Sequence, residues 1–174
     1  MTLLEWSHPA TELTRPRRSF DRTATPEECA AVAAALQVPQ VKELKARYEL
    51  SAISTGRYKL VGELRARLVQ TCVVSLEPIE KTLELPFEAE FRTDPDQLRN
   101  TGSNEDEVEI LTLPDFEPIE NGQLAVGRVV FDTLGAGIDP YPRKEGAIFN
   151  WSDEEGARAI SPFSALAKLK RETP

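Results

Sequence analysis

One histidine, two cysteines and one methionine are all that the 174 residues offer of imidazole and sulfur ligands. A structural zinc site normally takes four Cys or His side chains at tight spacings. His8, Cys29 and Cys72 form no such cluster, so no metal site is expected. Two distant cysteines also make no disulfide framework, which suits a reduced, cytoplasmic compartment. Long apolar runs are missing as well. None approaches the ~20 residues that a membrane-crossing helix needs. The opening stretch "MTLLEWSHPATEL" has early acids and no basic region, so it is not expected to be a secretion signal. Nucleotide-binding loops of the G-x-x-x-x-G-K-[ST] or G-x-G-x-x-G type are absent, as is G-x-S-x-G. Aromatics make up 7% of the chain and form no RNA-binding signature.

What is present is acid and alternation. Twenty-nine Asp and Glu outnumber 21 Lys and Arg, giving a formal net charge of −8. Binding to bare nucleic acid draws on clustered cations, so an acidic chain suits a basic protein partner better. Hydrophobic residues reach 40%, enough for a packed core.

Residues 1–24 read as an N-terminal segment with a basic knot at Arg15, Arg17, Arg18 and Arg22, and with Leu3, Leu4 and Trp6 in a short strand. From 25 to 174 the chain reads as a single domain. "TPEECAAVAAALQV" opens with a capping box, Thr25 with Glu28, and places Pro26 at the first helical position. A helix is expected over 26–37, ended by Pro39. Then Leu44, Ala46, Tyr48, Leu50 and Ala52 alternate with charged residues, and "STGR" supplies turn chemistry. A second alternating run holds Tyr58, Leu60, Gly62, Leu64, Ala66 and Leu68, so 41–74 reads as a hairpin with charge pairs on its outer face. Cys72 keeps the inward parity of Leu68 and reads as a small core side chain, as does Cys29.

After the "LEP" break, Leu83, Leu85, Phe87, Ala89 and Phe91 mark another strand. Residues 92–107 lack periodicity and read as a mobile acidic loop. A short strand near 108–113, a helix over 122–136 and a C-terminal helix from Ser161 follow. In that last helix Phe163, Leu166 and Leu169 share a face, with Lys168, Lys170 and Arg171 in the final turn. The fold class expected is α+β: an antiparallel, curled or barrel-like sheet with flanking helices.

No catalytic residues are assigned. A cysteine nucleophile needs a base such as histidine, and the one histidine lies near a terminus. The carboxylates at 104–109 lack the ligand spacing and glycine of an EF-hand. "DPYPRKEGA" at 139–147 reads as a recognition segment. Pro140 and Pro142 stiffen it, Tyr141 offers an anchor, and Arg143 and Lys144 offer donors. Glu105, Asp106 and Glu107 are a second candidate contact for a basic partner.

Three separated stretches, "CVVSLEPIEKTLELPFEAEF", "IENGQLAVGRVVFDTLGAGIDPYPRKEGAIF" and "SPFSALAKL", together resemble the YceD family, the bacterial and plastid large ribosomal RNA subunit accumulation proteins. The resemblance covers roughly residues 40–170 and is closest to the alphaproteobacterial branch. It implies a non-enzymatic accessory factor of ribosome biogenesis, acting on large-subunit (23S) rRNA accumulation without a cofactor. Many relatives read Cys-x-Cys-Leu in the first stretch and carry further cysteines later, which suggests metal there. This chain has Cys72-Val73-Val74-Ser75-Leu76 and no cysteine at 139–147, so the resemblance does not extend to zinc. The expected partner is a basic ribosomal or assembly protein, with rRNA contacted directly or through it. Two alternatives stand beside this reading. One is a direct RNA-binding module using Arg15, Arg17, Arg18, Arg143 and Lys144. The other is a magnesium-dependent nuclease using the loop carboxylates.

Overall fold

The computed structural model describes residues 4–13, 17–93 and 116–149. Three strands of fifteen residues form its centre: β3 (Gln40–Ser54), β4 (Arg57–Thr71) and β5 (Pro78–Arg92). They run as an antiparallel meander. Leu50 faces Leu60 and Leu60 faces Ala89; Ala46 faces Leu64 and Leu64 faces Leu85. Each of these rows lies on one side of the sheet, because side chains alternate along a strand. The edge strand β2 (Arg18–Thr23) pairs antiparallel with β3. On the other edge, β6 (Phe116–Pro118) pairs parallel with β5.

Among the described residues the sheet order is therefore β2-β3-β4-β5-β6, mixed rather than wholly antiparallel, and not closed into a barrel. Pro86 lies inside β5, opposite Glu63. Among the described residues β6 pairs with β5 only from Glu90 onward, so no described strand asks Pro86 for an amide on that side.

Among the described residues two helices cover one face. The first, α1 (Pro26–Ala35), begins as its capping box dictates. The Glu28 amide donates to Thr25 Oγ1 at 3.2 Å, and the Thr25 amide donates to Glu28 Oε2 at 2.8 Å. It buries Cys29, Val32 and Ala33. The second, α2 (Val126–Gly137), buries Val129, Val130 and Leu134. It starts later than its apolar spacing suggests. Asn121 and Gly122 both hold positive φ, a turn that folds Gln123–Leu124 back as the two-residue strand β7 before the helix begins.

Described residues of the N-terminal segment pack into the same core. Leu4, Trp6 and Leu13 are buried within it, and β1 (His8–Pro9) pairs with β7. Leu4 and Trp6 are core residues outside any strand; the strand forms at His8. The Gly127 amide donates to Trp6 O at 2.9 Å and the Ala10 amide to Gly122 O at 2.8 Å, tying this segment down.

The opposite sheet face is charged, but among the described residues its cross-strand ion pairs join the hairpin strands to their outer neighbours rather than to each other: Arg47 of β3 with Asp21 of β2 at 3.0 Å, and Arg65 and Lys59 of β4 with Glu84 and Glu88 of β5 at 3.4 and 3.6 Å. Such exposed pairs add little stability. Each fully buried leucine contributes roughly 1.5–3 kcal/mol, so the covered face decides the fold. Gly62 is required there: a Cβ would lie 2.6 Å from Tyr48 Cβ and 2.7 Å from Phe87 Cζ. Among the described residues no helix is long and apolar enough to cross a membrane. The expected acidic loop beyond Thr93, the strand at 108–113, Arg15 and the C-terminal helix lie outside the described residues.

His8 is the one buried imidazole. Its Nε2 is joined to the Tyr48 hydroxyl by a 2.7 Å hydrogen bond, and its ring lies 4.0 Å from that of Phe20. Burial, then the nearby Arg22 and Arg18, push its pKa down to about 4. An unfolded histidine titrates near 6.5, so the unfolded chain binds the extra proton first as pH falls. The penalty is absent above pH 6.5, grows as pH drops through 6.5, and is complete below about 4. We expect wild type to lose about 2 kcal/mol more than His8→Gln between pH 7.5 and 5. Parallel urea titrations check this; equal losses in the two proteins would show that His8 is not held neutral by the fold.

Candidate functional site

Strand β4 ends at Thr71, and the chain turns at once. The Leu76 amide donates to Cys72 O at 3.0 Å and the Cys72 amide to Glu77 O at 2.8 Å, closing residues 72–77 into a compact turn. The segment after α2 docks against this turn. The Val73 amide donates to Pro142 O at 2.9 Å, and Gln70 Nε2 donates to Asp139 O at 2.8 Å. Asp139 organises its own segment by accepting from the Tyr141 amide at 2.9 Å and from Lys81 Nζ at 3.1 Å. These two donors, the amide first, hold its carboxyl below the usual range. Beside the junction lies a cleft of about 270 Å³, walled by Pro39, Val73, Pro140 and Pro142 among others.

Cys72 sits at the centre. Its sulfur is fully buried and accepts three backbone amides: Val74 at 3.4 Å, Ser75 at 3.3 Å and Lys144 at 3.3 Å. The Ser75 hydroxyl and amide, followed by the Lys144 and Val74 amides, hold its thiol at about 6, because donors aimed at sulfur favour the thiolate. Spacing and parity show an inward cysteine at a strand end. They do not show that the third donor comes from Lys144, 72 residues away.

Among the described residues no general base reaches Cys72 Sγ: His8 is engaged by Tyr48 and Phe20, and the donors at the sulfur are the Ser75 hydroxyl and the backbone amides of Val74, Ser75 and Lys144. Among the described residues no group of three His, Cys, Asp or Glu is placed to hold a metal ion. The sulfur instead joins two distant segments.

The residues singled out in 139–147 fall on the outside of this junction. Tyr141 is 72% exposed, and Arg143 is exposed without an ion pair among the described residues. Lys144 is committed, with Nζ 2.9 Å from Glu77 Oε2. Of the other cations, Arg17 pairs with Glu49, and Arg18 pairs with Glu12 and lies 5.2 Å from the Phe20 ring. Glu105, Asp106 and Glu107 lie outside the described residues.

Sequence reasoning missed Val73, 45% exposed, and Leu76, 75% exposed. Leu76 also holds φ +60, a left-handed conformation uncommon in residues other than glycine, asparagine and aspartate. An apolar side chain that is both strained and solvated satisfies no local rule, and such positions gather at functional sites. The signal in the sequence was a leucine immediately before the Glu-Pro break.

Two tests probe the sulfur. Cys72→Ser keeps an acceptor at the junction, whereas Cys72→Val removes it. A buried amide left without an acceptor costs about 1–3 kcal/mol, so Val should lower the urea midpoint clearly more than Ser. Equal midpoints would show that the amide contacts carry no weight. In a Cys29→Ala background, the thiolate absorbance at 240 nm should titrate near 6; a midpoint near 9 would show that the donors do not select the thiolate.

Comparison of the chain with protein-family models, curated proteins and solved structures finds no match.

Proposed function

We propose that this protein is a non-enzymatic accessory factor for large-subunit ribosomal RNA accumulation, of the YceD type, and that it binds its partner through the Cys72 junction. One observation carries the reading. The two stretches that bear the resemblance and are described, around 72–77 and 139–147, are far apart in the chain yet are tied to one another at Cys72 Sγ and Pro142 O. Their outer surface presents Val73, Leu76, Tyr141 and Arg143. Aromatic and arginine side chains on a rigid support make good interface anchors. The finer form of the sheet belongs to this reading too. Register irregularities at Val41/Glu43 and Ala52/Ser54 bend β3, and a curled sheet would hold the junction at its rim.

The partner is a basic ribosomal or ribosome-assembly protein in the bacterial cytoplasm, which the net charge of −8 favours over bare rRNA. Direct RNA binding is the weaker reading, since Arg17, Arg18 and Lys144 are already paired with carboxylates. Depletion should lower mature large-subunit rRNA while sparing small-subunit rRNA. Wild type should restore the ratio, and a Leu76→Ser, Tyr141→Ser, Arg143→Ala variant should not, although its exposed positions leave folding intact. A normal ratio after depletion defeats the assignment. Full rescue by the variant would defeat only the junction as its binding surface.

A further inference from the structure

Gln70 continues the inward parity of Leu64, Ala66 and Leu68 and is only 4% exposed. Its Nε2 is engaged, donating to Asp139 O at 2.8 Å. A backbone carbonyl only accepts, so this bond fixes which end of the side-chain amide is which. The other end, Oε1, is out of solvent's reach. Among the described residues it is the one buried side-chain nitrogen or oxygen without a hydrogen-bond partner. A buried acceptor left unpaired is costly, and each such group in a folded protein calls for an explanation.

The same side chain helps to wall the cleft of about 270 Å³ beside the junction. The other walls include Pro39, Val73, Ile138, Pro140 and Pro142. Proline has a fixed φ, so three of these walls are stiff before anything binds. The terminal torsion of a glutamine is broad rather than confined to one narrow well. A modest turn about it offers Oε1 to the cleft while Nε2 stays in range of Asp139 O.

We propose that this cleft is a subsite for a neutral aromatic ring bearing an N–H donor, the indole of a tryptophan on the protein partner. Three properties select that group. The volume falls just below the ~300–1,000 Å³ of drug-sized ligand sites, which leaves room for one ring system. Asp139, the one charged residue among the described walls, already accepts from Lys81 Nζ and the Tyr141 amide. A cationic donor would therefore be buried without a free counter-charge, which disfavours lysine and arginine. The indole N–H is a donor and nothing else. It satisfies one orphan acceptor and brings no further oxygen that needs a donor, as a phenol or carboxamide would. Tryptophan is also among the residues that most often anchor an interface. The inference rests on the reading that the partner docks at the junction, because Val73 and Pro142 belong to both places.

Amide NMR of the full-length protein with N-acetyl-tryptophan amide as the probe tests it. Shifts should appear at the Gln70 side-chain NH2 and at the Val73 and Ile138 amides. The 1-methylindole form of the probe, which lacks the donor, should bind roughly three- to tenfold more weakly, the scale of one net hydrogen bond. Gln70→Met removes the acceptor at similar length, so the two probes should bind that variant equally. The comparison of the two probes on wild type decides the matter even where Gln70→Met does not fold. Equal affinity of the two probes for wild type would overturn the inference. So would an absence of binding, shifts that map away from the cleft, or a preference that survives Gln70→Met. Each of these results leaves the rRNA assignment standing. A normal rRNA ratio after depletion leaves the indole site standing and removes only a ribosomal partner as the source of the indole.

Discussion

Leu50 opposes Leu60, Leu60 opposes Ala89, and Ala46, Leu64 and Leu85 form a second such row across the three fifteen-residue strands. A slip of one residue in either pairing would turn every leucine of that strand to water and every charge to the core. Burial of one face therefore locks the register of the whole meander. The helices, the N-terminal segment and the ion-pair ladder all take their positions from it. α1 and α2 cover the leucine rows. The Arg65–Glu84 and Lys59–Glu88 pairs follow from the same alignment rather than causing it.

The central meander was legible in the sequence because its strands hold one period over most of their length, with the register shifts of β3 lying near its two ends, at Val41/Glu43 and Ala52/Ser54. Tyr48, Gly62 and Phe87 sit where the parity of their strands puts them, and the glycine leaves room for both rings. α1 was legible from Thr25, Pro26 and Glu28, since a capping box is a short-range chemical signal. β2 was not. "RSFDRT" is exposed at five of six positions, so an edge strand with little to bury leaves no apolar alternation to read. The start of α2 was misplaced because Leu124 fits the helical spacing while serving in a strand. The open sheet, and the parallel pairing of β6, depend on contacts between distant strands that periodicity does not encode.

The candidate site divides along the same line. Tyr141, between Pro140 and Pro142, and Arg143 just after them stood out as an anchor and a donor on a stiffened segment, and both are exposed. Lys144 stood out equally but is held by Glu77. Leu76 looked like ordinary apolar content. Its oddity lies in a backbone angle, and a sequence does not display angles. Cys72 was placed correctly as an inward residue, but what it does there comes from partners on another segment.

The separation of 72 residues between Cys72 and Lys144 also bears on time. The meander closes through short connections, β3 to β4 by two residues and β4 to β5 by six. Contacts near in sequence form early, because little loop entropy is lost in making them. The link from Cys72 to Lys144 must wait until α2 has been laid on the sheet, so it belongs to the late part of folding. Changes at the junction then act mainly on how fast the native protein opens and hardly on how fast it forms. The sulfur contact works as a latch: it closes after the frame is built, and sets how long the finished surface lasts.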